Sequence, residues 1–253
     1  MALILLWLNP LPNCACKSEY KHNFKQKTHN LRAKKHTQNP HSPQIFYICN
    51  LHPAYPPHKS SLSMNIYQLK ISLNDAKPPI WRRFLVESTV LMPDLHKIIQ
   101  TTMGWTNSHL HQFEWNGQVY GDPILLEDLD YENYNEITLN TLLKAENDRI
   151  SYLYDFGDGW EHHIILEKVL PKEPNRLYPV CIAGENACPP EDCGGIGGYQ
   201  ALLEIMSDPS HEEHEEMTDW LGDEFDPTEF DKEEVSETLQ SDNFGVYRWE
   251  DEE

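Results

Sequence analysis

The chain has 253 residues, 39% of them hydrophobic, with 20 Lys and Arg against 41 Asp and Glu and a formal net charge of −21. That length holds one large domain, or one domain with appendages, and buries a core without staples; its 27 aromatic residues exclude a chain disordered throughout. The acidic balance argues against a protein that coats nucleic acid, because phosphates and this field repel, and no apolar run approaches the ~20 residues of a membrane-spanning helix.

The charge is unevenly divided. Residues 1–63 hold eight Lys and Arg and one acid, Glu19, whereas residues 64–253 hold 12 and 40, a net charge of −28. Such a shift marks a boundary. The short apolar stretch Ala2–Leu8 is followed by Lys, His, Asn and Pro with no period of 2 or 3.6. A secretory signal carries its positive charge before the apolar stretch; here the charge follows. The expectation is a disordered or non-genuine leader over 1–63 with translation starting at Met64, a domain over 64–240 and an acidic tail over 241–253.

From Asn65 the pattern is regular. Tyr67, Leu69, Ile71 and Leu73 alternate with Gln68, Lys70 and Ser72, which predicts a strand. Lys77-Pro78-Pro79 turns the chain into a second strand, Ile80 to Val86. Leu95, Ile98, Ile99, Thr102 and Met103 make a helical stripe over Pro93 to Met103, with Gly104 as its cap. His109–Trp115 and Gln118–Tyr120 join through Asn116-Gly117, a strong hairpin signal. Asp122–Glu136 reads as an acidic loop, and Leu139–Lys144 as a helical turn. Arg149–Phe156 and Trp160–Leu170 read as paired strands around a Gly157-Asp158-Gly159 turn, with Gly157 or Gly159 at positive φ. Residues 171–195 read as irregular. Helices are expected over Gly197–Met206 and from Asp226, with Pro227 at its first position and Phe225 and Phe230 as a staple. Strands first and helices later predict an α+β fold, a compact roll of antiparallel hairpins with helices on one face and a helical, acidic C-terminus.

Several motifs carry chemistry on paper. Asp155-Phe156-Gly157 spells a kinase metal-binding triplet, but no HRD loop or Gly-rich phosphate loop precedes it. Gly194-Gly195-Ile196-Gly197-Gly198 lacks the strand and βαβ context of a dinucleotide loop. Cys181, Cys188 and Cys193, spaced C-x6-C-x4-C, supply three zinc ligands if a His or Asp192 makes the fourth; otherwise they are packed thiols, which the missing C-x2–4-C pairs favour. Three cysteines after residue 63 are an odd count, against a secreted disulfide framework and for a cytoplasmic setting. His109, His111, His162 and His163 with Asp155, Asp158 and Glu161 form an acid–base or metal cluster if their hairpins pair; the plainer reading is structural hydrogen bonding in an aromatic sheet. Arg82 and Arg83 sit next to each other on a strand, so one faces in, paired, and the other out, a local basic spot. Trp81, Trp105, Trp115 and Trp160 suit a core or a recognition surface equally. Residues 208–253 hold 19 acids and two bases, a solvated acidic helix face with a tail.

Pro78-Pro79-Ile80-Trp81-Arg82-Arg83, Leu95-His96, Met103-Gly104-Trp105, His109-Leu110-His111-Gln112-Phe113, Tyr154 to His162, and Ala187 to Gly195 together resemble the plasmid pRiA4b ORF-three-like family over about residues 64–240. The resemblance implies a compact α+β roll of microbial origin, a kinship with accessory proteins of insertion elements, and no established reaction. With no complete catalytic constellation, the sequence reads as a non-enzymatic interaction or accessory module with a protein partner. The alternatives are a metal-binding domain or metal-dependent hydrolase using the His/Asp cluster or the Cys loop, with zinc as the cofactor, and a nucleic-acid accessory factor.

Overall fold

A computed structural model describes residues 64–123, 131–222 and 225–246. The leader over 1–63, the start at Met64 and the end of the acidic tail lie outside the described residues. The fold is α+β. Eight strands form one sheet: β1 Asn65–Leu73, β2 Trp81–Glu87, β3 His111–Trp115, β4 Gln118–Gly121, β5 Glu132–Asn133, β6 Arg149–Tyr154, β7 Trp160–Pro171 and β8 Val180–Glu185. Their order is β5-β4-β3-β6-β7-β1-β2-β8. Every pairing is antiparallel except the two-residue contact of β4 with β5.

The period-2 patterns decide which face is buried. Tyr67, Leu69, Ile71 and Leu73 of β1, Ile150, Tyr152 and Tyr154 of β6, and Trp160, His162, Ile164 and Leu166 of β7 point into one core. Lys70, Ser72, Arg83, Ser151, Glu161 and His163 take the other face and are at least partly exposed. α1, Met92–Met103, brings Leu95, Ile98, Ile99 and Met103 into the same core. Gly104 ends it in the left-handed region at φ +93°, its N–H bonded to Gln100 O at 2.8 Å. Asn116 and Gly117 turn the β3–β4 hairpin at φ +51° and +78°, the primed geometry that matches strand twist. A short α2, Leu139–Leu142, and α3, Gly195–Ser207, follow the predicted spans closely. No helix of the described residues is long and apolar enough to cross a membrane.

Four elements differ from expectation. β5 is a two-residue strand inside Asp122–Glu136, the stretch read as a loop. β8 runs through the stretch read as irregular: it is an edge strand paired with β2 alone, and with only Cys181 of its six residues buried it shows no alternation. α4, His214–Leu221, is not expected from its acidic sequence; it buries no residue fully, but Met217 and Leu221 pack partly against the core. The last helix, α5, spans Lys232–Thr238 and starts at Asp231, not Asp226. Both aspartates can cap. Asp231 accepts from the N–H groups of Glu233 and Glu234 at 2.9 and 3.1 Å, while Asp226 closes a local turn with Thr228. Phe230 therefore precedes the cap instead of following it; its ring lies 4.0 Å from the Arg82 guanidinium, over Gly184, where a Cβ would sit 2.2 Å from it. The chain stays packed past residue 240: Thr101 Oγ1 donates to Phe244 O at 2.6 Å, and Val246 is buried.

Adjacent glycines in α3 carry opposite constraints. A Cβ on Gly198 would stand 1.8 Å from Cys193 O, whereas one on Gly197 would meet nothing within 4 Å. Gly198→Ala therefore costs ~1–3 kcal/mol through forced backbone shifts, and Gly197→Ala stabilises by ~0.5–1 kcal/mol through helix propensity. Urea midpoints moving in opposite directions check this; a shared direction refutes it.

Candidate functional site

The resembling segments meet at one end of the sheet. β6 ends at Tyr154, and Asp155 follows at φ +54°. Its Oδ1 accepts from Gly157 N at 2.8 Å, and its carbonyl accepts from Gly159 N at 2.7 Å, with Gly159 at φ +71°. This is the tight turn expected before Trp160. Asp155 N donates to Leu110 O at 2.9 Å, which fixes the approach to β3 beside the turn.

The loop between β8 and α3 is tied to the same end at four points. Asn186 Nδ2 donates to Pro79 O at 2.7 Å, Trp105 Nε1 to Pro189 O at 3.1 Å, and Gly194 N to Asp158 Oδ2 at 3.2 Å. The fourth is Glu191. One of its oxygens accepts from the Tyr154 hydroxyl, the other from Thr106 N at 3.1 Å and the Thr106 hydroxyl. Tyr154 OH accepts in turn from Ser108 N at 3.0 Å. Burial, with Glu191 second, pushes the Tyr154 phenol far above its ordinary range, so it stays a donor.

These ties set His109 between two carboxylates. Its Nδ1 lies 3.7 Å from Asp155 Oδ2 and its Nε2 3.5 Å from Asp192 Oδ1. Asp155 is buried and Asp192 exposed. Among the described residues, His109, Asp155 and Asp192 are the one set of three whose ligand atoms converge, all within 4.8 Å of one another.

The other predicted cluster members are dispersed by strand alternation. Glu161 and His163 turn to the opposite face, and Asp158 holds Gly194. His111 and His162 turn into the core. His111 stacks on His96 of α1, ring centres 3.3 Å apart and 3° from parallel, and its Nε2 lies 3.0 Å from Tyr134 OH. His96 Nε2 meets Asn107 Oδ1 at 2.6 Å, an acceptor, so that nitrogen carries the proton; its Nδ1 then accepts from Tyr152 OH at 2.9 Å. Tyr152 OH accepts from Gln100 Nε2 at 2.9 Å, and Gln100 Oε1 from Asn107 N at 3.0 Å. The network closes with a neutral His96. Burial lowers His96 to about 4 and His162 to about 3, and takes His111 well below its ordinary value.

Arg82 is interior, which removes it from any basic surface spot. It donates to the carbonyls of Thr102, Trp81 and Glu185 at 2.9–3.0 Å, and burial lowers its pKa. Arg83 faces outward but is held bidentate by Glu167 at 2.6 and 2.8 Å. Trp81 lies beside it, between Lys70 and Arg83 and bonded to Glu185. Trp105 and Trp160 are core residues, and Trp115 is partly buried against the core. The three cysteines are not a converging set among the described residues. Cys181 is buried, its thiol 3.6 Å from Arg83 O; burial raises it to about 11, Cys193 to about 12, and Cys188 further.

The sequence profile of the plasmid pRiA4b ORF-3-like protein family matches residues 65–234, which contain all of these segments. The chain belongs to the pRiA4b ORF-3-like family. It is 37% identical over 166 residues to the uncharacterized protein y4hQ of Sinorhizobium fredii (strain NBRC 101917 / NGR234), covering 62% of this chain and 81% of that one. It also resembles the crystal structure of MM3350, a protein of unknown function from Methanosarcina mazei Go1, at 40% identity and a TM-score of 0.63 over 68% of this chain and 98% of that one. Within this pRiA4b ORF-3-like chain the sequence reading had paired Asp192 only with the cysteines and left Glu191 and His96 unassigned. The run Pro189-Pro190-Glu191-Asp192 held the signal: two acids on a stiffened loop.

The buried histidines give the protein a pH dependence. His96 and His162 take up a proton near pH 6.5 when unfolded but only near 4 and 3 when folded, so the unfolded chain binds more protons below 6.5 and stability falls with pH. The expected slope is up to ~1.4 kcal/mol per pH unit for each histidine, ending near pH 4 for His96 and near 3 for His162, with the contribution complete above ~pH 7. Urea midpoints between pH 4 and 8 give this slope, and His162→Asn flattens it; equal slopes in the two proteins contradict it.

Proposed function

We propose that the chain is a divalent-cation-dependent binding module, with His109, Asp155 and Asp192 as the protein's ligands. The convergence of their ligand atoms within 4.8 Å, from three separate segments of the chain, carries this reading. One imidazole and two carboxylates suit Mn²⁺, Fe²⁺ or Zn²⁺. Three protein ligands leave coordination positions for water or a bound molecule. Binding rather than turnover is favoured because the neighbouring groups are engaged with one another: Glu191 with Tyr154 and Thr106, and Asp158 with Gly194. The net charge of −28 over residues 64–253 and the engagement of Arg82 and Arg83 speak against phosphate-backbone contacts. An accessory role in the cytoplasm, beside a protein partner and linked to mobile elements, extends this reading from the family resemblance.

Without an ion, His109 lies between the two aspartates, 3.7 Å from Asp155 and 3.5 Å from Asp192, and the experiment tests whether an ion takes that place. Mn²⁺ titration of the full chain, followed by electron paramagnetic resonance, gives one ion per chain. His109→Ala and Asp155→Asn each weaken it by more than the ~10–100-fold that outer-shell changes cost, while circular dichroism stays unchanged. No binding, or binding indifferent to both substitutions, removes the proposal.

A further inference from the structure

A groove begins at Asp192 and runs along α3. It is bounded by Cys193, Gly198 and Ile205 on one side and by Met217 and Trp220 of α4 on the other, with a volume of about 230 Å³. Its lining is apolar apart from Asp192, and Trp220 is 47% exposed. The volume lies below the ~300–1,000 Å³ of sites for drug-sized ligands. α3 starts three residues after Asp192, and the N–H of its N-cap, Gly194, donates to Asp158 Oδ2 at 3.2 Å. The helix dipole favours negative charge there, and Asp158 already supplies one. Gly197, in that turn, leaves open space where a side chain would stand.

On their own, Asp155, Asp158 and Asp192 repel an anion from this end of the helix. A divalent ion held by His109, Asp155 and Asp192 reverses the local field and offers open positions to an oxygen donor. We infer that the site takes a small carboxylic acid: its carboxylate completes the coordination of the ion beside the α3 N-terminus, and its aromatic or branched apolar body lies in the α3–α4 groove against Met217 and Trp220. The inference rests on the metal reading above and adds the ligand class. It makes the ion obligatory, because only the ion turns a repulsive acidic end into an attractive one.

The full chain is titrated with phenylacetate, with Mn²⁺ and after treatment with EDTA, by calorimetry and tryptophan fluorescence. Acetate serves as the head alone and benzylamine as the body with a cation. Phenylacetate is expected to bind at least ~10-fold more tightly with Mn²⁺ than without, and more tightly than acetate, while benzylamine does not bind. Trp220→Ala weakens phenylacetate by ~10-fold through lost aromatic contact and leaves Mn²⁺ affinity unchanged, since Trp220 lies on the exposed α4. Asp192→Asn weakens both. Mn²⁺ binding without phenylacetate binding, phenylacetate binding equally well in EDTA, or indifference to Trp220→Ala each overturns the ligand assignment and leaves the metal site standing. A concentration-dependent dimer that Trp220→Ala dissolves overturns it too, since a second copy then fills the groove. Absence of Mn²⁺ binding overturns both readings together.

Discussion

The Glu191 carboxylate holds the functional end of the protein in place. It takes hydrogen bonds from the last residue of β6 and from the chain between α1 and β3, and it sits on the loop that leads into α3. Bonds to an ionised acceptor are roughly twice as strong as neutral ones. One anion thus joins three segments that are far apart in sequence. Asp192 is the next residue, so its position opposite His109 is inherited from this anchor. Trp105 adds a second tie from below, stacking on Tyr154 at 4.9 Å while donating to Pro189 O.

Beneath that end the core is unusually polar. His96, His111, Tyr152, Gln100 and His162 are all buried. Their arrangement is consistent only when the histidines are neutral, because a second proton on His96 would leave Tyr152 OH facing a donor. Parallel stacking at 3.3 Å likewise suits two neutral rings and penalises two charged ones. Such a network fixes the relative placement of α1, β3 and β6 more sharply than interchangeable aliphatic packing does. His109, two residues from His111, lies outside this layer and keeps its access to solvent.

Much of the framework was legible in the sequence because local rules decided it. Alternation in β1 and β6, the Asn116-Gly117 turn, the stripe of α1 and the Gly104 cap each express one short-range constraint. β8 escaped because it is short and buries only Cys181, so no alternating pattern marks it. α5 was placed too early because two cap-competent aspartates, Asp226 and Asp231, lie five residues apart, and only the distant slot formed by Arg82 and Gly184 decides where Phe230 goes. The site was half legible. His109 and Asp155 were named from residue type and spacing. Asp192 joins them through a loop whose path depends on Glu191, and no periodicity encodes that path. Parity explains the remainder: His162 and Glu161 are neighbours in sequence but lie on opposite faces of the same strand.

The outer rim of the sheet has its own safeguard. On β8 Cys181 N donates to the Ser236 hydroxyl of α5 at 3.1 Å, and that hydroxyl has two acceptors for its one proton, Lys232 O at 2.7 Å and Cys181 O at 3.0 Å. Further along, Ala187 N is satisfied by Pro227 O at 3.0 Å. The Cys181 edge of β8 is therefore already met by the most acidic part of the chain. An approaching second molecule meets a covered stretch of edge and a like charge at once. Covering and charge at this edge both disfavour strand addition there, independently of whatever the other end of the sheet binds.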